Sequence, residues 1–298
     1  MTSRTLAEVL AESAARVEAA LERYLGPEAG PPRLVEAMRY SLLGGGKRLR
    51  PFLVLTAAEV CGGDPEAALP AACAVEMVHT YSLIHDDLPC MDDDDFRRGR
   101  PSAHRVFGEG LAVLAGDALL TLAFEVMAGL EGDPRVGPGR AIRAVAELAR
   151  AAGPAGMVGG QVLDLEWEGR DAPVAVLEDL DRRKTGALIA GSLRIGAIVA
   201  GASPAQEQAL TAYGLHLGLA FQIQDDILDV VGDPAVLGKQ AGSDERQAKS
   251  TYVRALGLEG ARARARAAAQ AATEALAPLG PGARVLAELA AYVIERER

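Results

Sequence analysis

Ten consecutive residues, Asp86 to Asp95, carry six carboxylates: Asp86, Asp87, Asp92, Asp93, Asp94 and Asp95. Like charges at that density repel one another and destabilise the chain unless a cation or cationic neighbours offset them. In an unbroken helix Asp86 and Asp92 would face about 120° apart. Pro89 cannot donate to the carbonyl of His85, so it forces a break, and a break there swings Asp92 back towards Asp86. Taken alone, the run also reads as a solvated acidic loop after a helix.

A second cluster bears on that choice. Gln222, Asp225, Asp226 and Asp229 stand at i, i+3, i+4 and i+7 of an otherwise apolar helix spanning Leu215–Val231. The spacing makes one polar stripe. Three carboxylates on a helix fit for the core are destabilising unless they face charge. Oxygen-only donors suit Mg²⁺, which binds through a few carboxylates together with substrate phosphates.

Cations follow the same distribution. Gly44-Gly45-Gly46-Lys47-Arg48-Leu49-Arg50-Pro51 lets backbone approach a ligand closely, with Lys47 and Arg50 as donors. It is no nucleotide P-loop, because Arg48 stands where Ser or Thr is needed and no strand precedes it. Arg97 and Arg98 come directly after the first acidic run, Lys184-Thr185-Gly186 opens an apolar stretch, and Lys239 and Lys249 follow the second cluster. His79 lies on one helical face with Ser82 and Asp86. A basic turn or a single histidine is commonly a solvated or core feature, so these gain meaning only beside the two acidic motifs.

Helices must position these groups. Apolar residues recur at three- and four-residue spacing along nearly the whole chain, and no alternating stretch is long enough for a strand. Thr5 with Glu8 and Ser203 with Gln206 read as capping boxes, and Asp64-Pro65 as a cap with a first-turn proline. Glycines 26, 44–46, 132, 169, 201 and 232 supply stops. The expectation is all-α: about ten helices, one large bundle around a central cavity, a single domain over residues 1–298, and a helix before the first motif beginning near Pro70.

Composition narrows the class. Hydrophobic residues make up 49% of the 298, and aromatics only 4%, so the interior must be built from Ala, Leu, Val and Ile. A net charge of −10 argues against nucleic acid as a partner, because phosphate backbones recruit basic faces. Cys61, Cys73 and Cys90 lack metal-ligand spacing and read as reduced thiols of a cytoplasmic protein. The N-terminus has no secretory pattern, and the longest uncharged run, Gln208 to Gln224, is too short and polar to span a bilayer.

Taken in order, GGGKRLRP, EMVHTYSLIHDDLPCMDDDDFRRGRPSAH, AGDALLTLAFE, GGQVLDLEWEG, RRKTGALI, FQIQDDILDVVGD and LGKQAGSDERQAKSTY closely resemble the short-chain trans-isoprenyl diphosphate synthases. The resemblance runs from about Leu34 to Arg296, and the expanded first aspartate motif looks like the bacterial farnesyl diphosphate synthase branch. Arg183 stands where that family commonly has His. The resemblance implies the isoprenoid synthase fold, usually as a homodimer, and a Mg²⁺-dependent condensation of isopentenyl diphosphate with dimethylallyl or geranyl diphosphate. It implies that Asp86, Asp92 and Asp225 bind about three Mg²⁺, supported by Asp87, Asp226 and Asp229. Arg97, Lys184, Lys239 and Lys249 would hold the allylic diphosphate, and Lys47, Arg50, His79 and Arg98 the isopentenyl diphosphate. Thr185 and Gln222 would turn oxygen dipoles towards the allylic cation. An aromatic five residues before the first Asp, here Tyr81, would limit the product to farnesyl, with Ser82 about one turn or ~6 Å below Asp86 at the same depth. The plain alternative for Tyr81 is a packed core aromatic.

Other functions fit less well. A terpene cyclase would show an Asn/Asp–Ser/Thr–Glu second motif and an aromatic pocket, and a head-to-head synthase would lack GGGKRLRP. A silent partner subunit would tolerate lost aspartates, and all are present. A calcium module would need a loop glycine and terminal Glu in another register. A geranylgeranyl diphosphate synthase of the same family is the alternative that differs only in product length.

Overall fold

Capping residues act where the sequence places them. Thr5 Oγ1 accepts from the Glu8 amide at 3.3 Å while the Glu8 carboxylate accepts from the Thr5 amide at 2.8 Å, and Ser203 with Gln206 repeats the exchange. The computed structural model describes residues 5–231 and 250–295. Among them are thirteen α-helices: α1 (Leu6–Tyr24), α2 (Pro32–Leu42), α3 (Leu49–Val60), α4 (Pro65–Asp86), α5 (Ala103–Phe107), α6 (Glu109–Ala128), α7 (Pro138–Ala152), α8 (Met157–Trp167), α9 (Val174–Asp181), α10 (Ala187–Ala200), α11 (Pro204–Val231), α12 (Tyr252–Ala275) and α13 (Arg284–Glu295). The sole strands among the described residues are β1 (Phe96–Arg97) and β2 (Arg100–Pro101), one antiparallel rung too short for any alternation to announce. The chain's contacts gather into two compact units, Met1–Leu55 with Asp64–Val145, and Thr56–Gly63 with Ala146–Arg298.

In the first unit α4 packs along α6, and α1 and α2 also lie against α4. Asp64 Oδ1 accepts from the Glu66 amide at 2.9 Å, so α4 starts at Pro65, five residues before Pro70. Pro70 sits inside the helix, where its missing N–H costs one backbone bond. Buried Ala, Cys, Val and Met from Ala71 to Val78 keep α4 intact across that gap. By length and hydropathy, α4 and the segment Glu109–Gly132 are each apolar enough to cross a bilayer, a point that uncharged-run length misses. Most of α4 is instead buried inside the protein.

In the second unit α10 is almost wholly buried from Leu188 to Val199, and α11 lies against it. Fully burying Leu188, Ile189, Leu193, Ile195 and Ile198 contributes roughly 1.5–3 kcal/mol per side chain. A Cβ on Gly218 would lie 2.8 Å from the Cα of Gly186, so α11 touches the backbone just before α10. That approach needs glycine, and it sets Thr185 beside Gln222, which lies one turn after Gly218 on α11. Cys61 and Cys73, both free, are pushed by burial up to about 11 and about 12, and therefore stay protonated thiols.

Candidate active-site residues

α4 ends at Asp86, and the chain folds back at once. The Asp92 amide donates to the Asp86 carbonyl at 2.9 Å, and the Asp93 amide to the Leu88 carbonyl at 3.1 Å. The break at Pro89 thus sets the backbones of Asp86 and Asp92 side by side, with both side chains half-buried. Asp87 is buried and paired with Arg97, whose Nε donates to Oδ1 at 2.9 Å while Nη2 reaches the same oxygen and Asp94. Burial raises the Asp87 carboxyl, and Arg97 opposes that rise. Arg97 stands on the β1–β2 hairpin, whose central residues Arg98 and Gly99 both have left-handed φ (55° and 74°), as a two-residue type I′ turn requires.

The glycine-rich turn contains one residue with a role its neighbours conceal. Arg48 is fully buried, donates to Glu76 and to the Leu42 carbonyl, each at 2.7 Å, and approaches Glu18 at 3.4 Å. It anchors the turn that presents exposed Lys47 and half-buried Arg50. Arg50 Nη1 lies 3.2 Å from His79 Nε2, and Arg98 donates to the Gly45 carbonyl. Burial first, and then repulsion from Arg50, Arg98 and Arg97, holds His79 well below the ordinary imidazole range. The ring is therefore neutral, and Nε2 accepts from Arg50. Burial also lowers Arg98, with Arg48 and Arg97 adding to it against Glu76. These are cations crowded as an anion site requires. Tyr81 is buried with its ring edge-on to His85 at 5.7 Å, and Ser82 is half-buried with Oγ donating to the His79 carbonyl at 2.9 Å.

In the second unit, Arg182–Gly186 forms a π-turn, the extra-residue bulge often found at functional positions. It carries Lys184 and Thr185 out of helical phase. Thr185 Oγ1 donates to Gln222 Oε1 at 3.2 Å, and Gln222 Nε2 donates to Asp226 Oδ1 at 3.2 Å. Asp226 Oδ2 accepts from the Tyr252 amide at 2.8 Å. Buried Asp226 is thus engaged through both oxygens, while Asp225 beside it is half-exposed and Asp229 is buried. Lys184 Nζ meets Asp164 Oδ2 at 2.5 Å. A Cβ on Gly160 would fall 2.2 Å from the Lys184 amide nitrogen, so α8 approaches the π-turn at a distance only glycine allows.

Sequence reasoning missed Arg48, Asp164 and Asp181. Asp181 is buried and raised well above the ordinary carboxyl range, by burial first and then by Asp226. All three sit inside or beside recognised motifs among other charged residues, and none carries a sequence signal of its own. Lys239 and Lys249 lie outside the described residues.

Among the described residues, no group of three or more His, Cys, Asp or Glu side chains is gathered closely enough to hold a metal alone. Each motif taken by itself still fits Mg²⁺, because half-buried Asp86 and Asp92 in the first unit and Asp225 in the second offer only carboxylate oxygens. That ion completes its octahedron with water and substrate phosphate rather than with an all-protein cage.

Comparison with known proteins identifies the family. The polyprenyl synthetase family model matches residues 31–277. A farnesyl diphosphate synthase of Geobacillus stearothermophilus is 48% identical over 262 residues, covering 88% of each chain. The large subunit 1 of a heterodimeric geranylgeranyl pyrophosphate synthase of Arabidopsis thaliana is 53% identical over 235 residues, which is 78% of this chain and 63% of that protein's length. Among solved structures, an FPP/GFPP synthase of Zymomonas mobilis superposes with a TM-score of 0.85 at 39% identity, over 97% of this chain and 98% of that one.

Proposed function

We infer the reaction from one premise: the chain belongs to the polyprenyl synthetase family, and it is a Mg²⁺-dependent prenyltransferase that condenses isopentenyl diphosphate with dimethylallyl and then geranyl diphosphate to give farnesyl diphosphate. The observation that carries this reading is the turn closed by the Asp92 amide on the Asp86 carbonyl. It brings the two ends of the acidic run together, where their mutual repulsion calls for a bound cation.

Asp86, Asp92 and Asp225 hold about three Mg²⁺, and Asp87, Asp226 and Asp229 support them. Mg²⁺, when bound, offsets the charge of the departing diphosphate. Lys184, fixed by Asp164, and Arg97, fixed by Asp87, bind the allylic diphosphate together with Lys239 and Lys249. Lys47, Arg50, His79 and Arg98 bind isopentenyl diphosphate and orient its double bond for attack on the allylic cation. Thr185 and Gln222 turn oxygen towards that cation, and the chain from Gln222 to Asp226 keeps the Gln222 amide from rotating away. The released diphosphate takes the proton, and apolar walls exclude water that would quench the cation.

Two acidic motifs and both basic sets act as a single polyprenyl synthase domain over residues 1–298. A homodimer in the cytoplasm completes the reading, and exposed Val113 and Leu114 on α6 offer an apolar face for the second copy. One relative makes a C20 product by its name, which favours geranylgeranyl diphosphate; buried Tyr81 below Asp86 favours C15.

Incubation with isopentenyl diphosphate and each allylic diphosphate in Mg²⁺, followed by chromatography of the dephosphorylated products, tests the reading. Farnesol as the main end product supports it. Geranylgeraniol as the main end product replaces the chain-length assignment, and a cyclic product or no elongation overturns the reaction.

A further inference from the structure

A glycine on α6 and the histidine it faces bear on how long the product grows. His85 is the last residue before the first aspartate pair, and its ring is clamped from two sides. Its Nε2 lies 3.0 Å from the carbonyl of Val113 on α6, so the imidazole donates there. A Cβ on Gly116, one turn further along α6, would fall 2.2 Å from that nitrogen and 2.6 Å from Cδ2. The ring therefore occupies the space in which any other residue at 116 would place its side chain. The other flank of the imidazole meets Tyr81 edge-on, with centroids 5.7 Å apart and planes at 81°. Tyr81 is itself buried, four residues before His85 on α4.

We propose that Gly116 and His85 are specificity-determining positions: α6 backs His85, and His85 backs Tyr81, so that the aromatic floor beneath the first aspartate motif is rigid. The proposal rests on the reading of Tyr81 as that floor. An edge-to-face ring pair holds its partner's rotamer as well as its contact area. Without the imidazole, the phenol gains room to rotate and the wall yields to a growing chain. A Cβ at 116 evicts the ring from its place between the Val113 carbonyl and Tyr81, and has the same result by another route. Neither residue belongs to the diphosphate or metal sites, so the first condensation should be spared while termination is relaxed.

The test measures the ratio of C20 to C15 products, with the rate of the first condensation alongside, for Tyr81→Ala, His85→Ala, Gly116→Ala and the double variant His85→Ala/Gly116→Ala. Gly110→Ala serves as control, since a Cβ there meets nothing within 4 Å. The expected result is a rise in the ratio by about tenfold in each single variant, the scale of one or two methylenes in an apolar pocket. The double variant should match His85→Ala alone, because Gly116 acts through the ring that variant lacks. If Gly116→Ala fails to fold, His85→Ala carries the test, because it removes atoms and adds none. Lengthening in Tyr81→Ala with wild-type ratios in His85→Ala and Gly116→Ala overturns the backing while leaving the floor. An unchanged ratio in Tyr81→Ala overturns the floor reading itself. A further rise from Gly116→Ala on the His85→Ala background also overturns the proposal.

Discussion

Glu76→Leu should be far more damaging alone than in company. Arg48 and Glu76 have side chains 0% and 2% exposed and meet at 2.7 Å, so neither charge is screened by solvent. Removing the carboxylate leaves a buried guanidinium with the Leu42 carbonyl and a half-exposed Glu18 at 3.4 Å, while its hydration stays forfeited. Breaking a buried pair in this way costs about 3–5 kcal/mol. At roughly 2–4 °C per kcal/mol for a chain of this order of size, that lowers the Tm by about 6–20 °C. Arg48→Met with Glu76→Leu removes both charges and fills the space with apolar atoms, so the double variant should recover most of the loss. Calorimetric or dichroism-detected unfolding of the wild type, the two single variants and the double, at two salt concentrations, supplies the four corners of the cycle. Salt should matter little, since a buried pair is barely screened. Singles that lose less than about 1 kcal/mol, or a double that loses the sum of both, would refute the argument that Arg48 is a buried anchor.

Asp86→Ala and Asp225→Ala should each reduce turnover by at least about 10³-fold at saturating Mg²⁺ with the fold retained, and near-normal rates in either would sink the two-motif model. Lys47→Ala and Arg50→Ala should mainly raise KM for isopentenyl diphosphate, whereas Lys184→Ala should affect the allylic substrate or turnover. Asp164→Asn should mimic Lys184→Ala more weakly, because the ion pair at 2.5 Å fixes that ammonium, and steady-state kinetics in each substrate separates these outcomes. Ser82→Phe should raise the floor and stop elongation near geranyl, read by product chromatography. His79 is held neutral in the folded chain, its pKa lowered by burial and then by Arg50. Its contribution to stability is therefore complete above the unfolded value of about 6.5 and is lost as pH falls below it towards the folded value, because only the unfolded chain then gains the proton. Denaturant unfolding at about pH 5 and about pH 7.5 should show a smaller difference in His79→Gln than in the wild type, and equal differences would place the acid sensitivity elsewhere.

Helices were legible because their signals are local. The pairs Thr5 with Glu8, Ser203 with Gln206, and Asp64 with Pro65 each define an end with groups at most three residues apart, and all three act as read. The start of α4 was misplaced for a related reason. Pro70 is a strong local stop, yet the buried face of the helix outweighs one lost backbone bond. The β1–β2 hairpin stayed hidden because a single rung has no period, and Arg98-Gly99 is a turn pair only once Arg98 is known to adopt positive φ. The π-turn at Arg182–Gly186 is equally silent, since the same residues read as an ordinary helix start.

The candidate reacting groups were legible for the opposite reason: they break local rules. Carboxylates repeated along an apolar helix, and a proline inside an acidic run, are costly choices, so the clusters at residues 86–95 and 225–229 stand out by type and spacing. The choice of Asp86, Asp92 and Asp225 within them comes from the family resemblance. The groups that hold the reacting ones in place break no such rule. Asp164 is one acid on a mixed helix, and Arg48 is one of three cations in a basic turn. Only folding shows that the first is spent on Lys184 and the second on Glu76. The turn at residues 47–50 divides accordingly. Lys47 stays exposed and Arg50 keeps contact with neutral His79, while the arginine between them points inward and fixes the pair in place. Pairing buried Arg48 with buried Glu76 anchors the turn from the inside. The same division governs the hairpin, where Arg97 neutralises buried Asp87 and Arg98 leans on a carbonyl rather than on an acid.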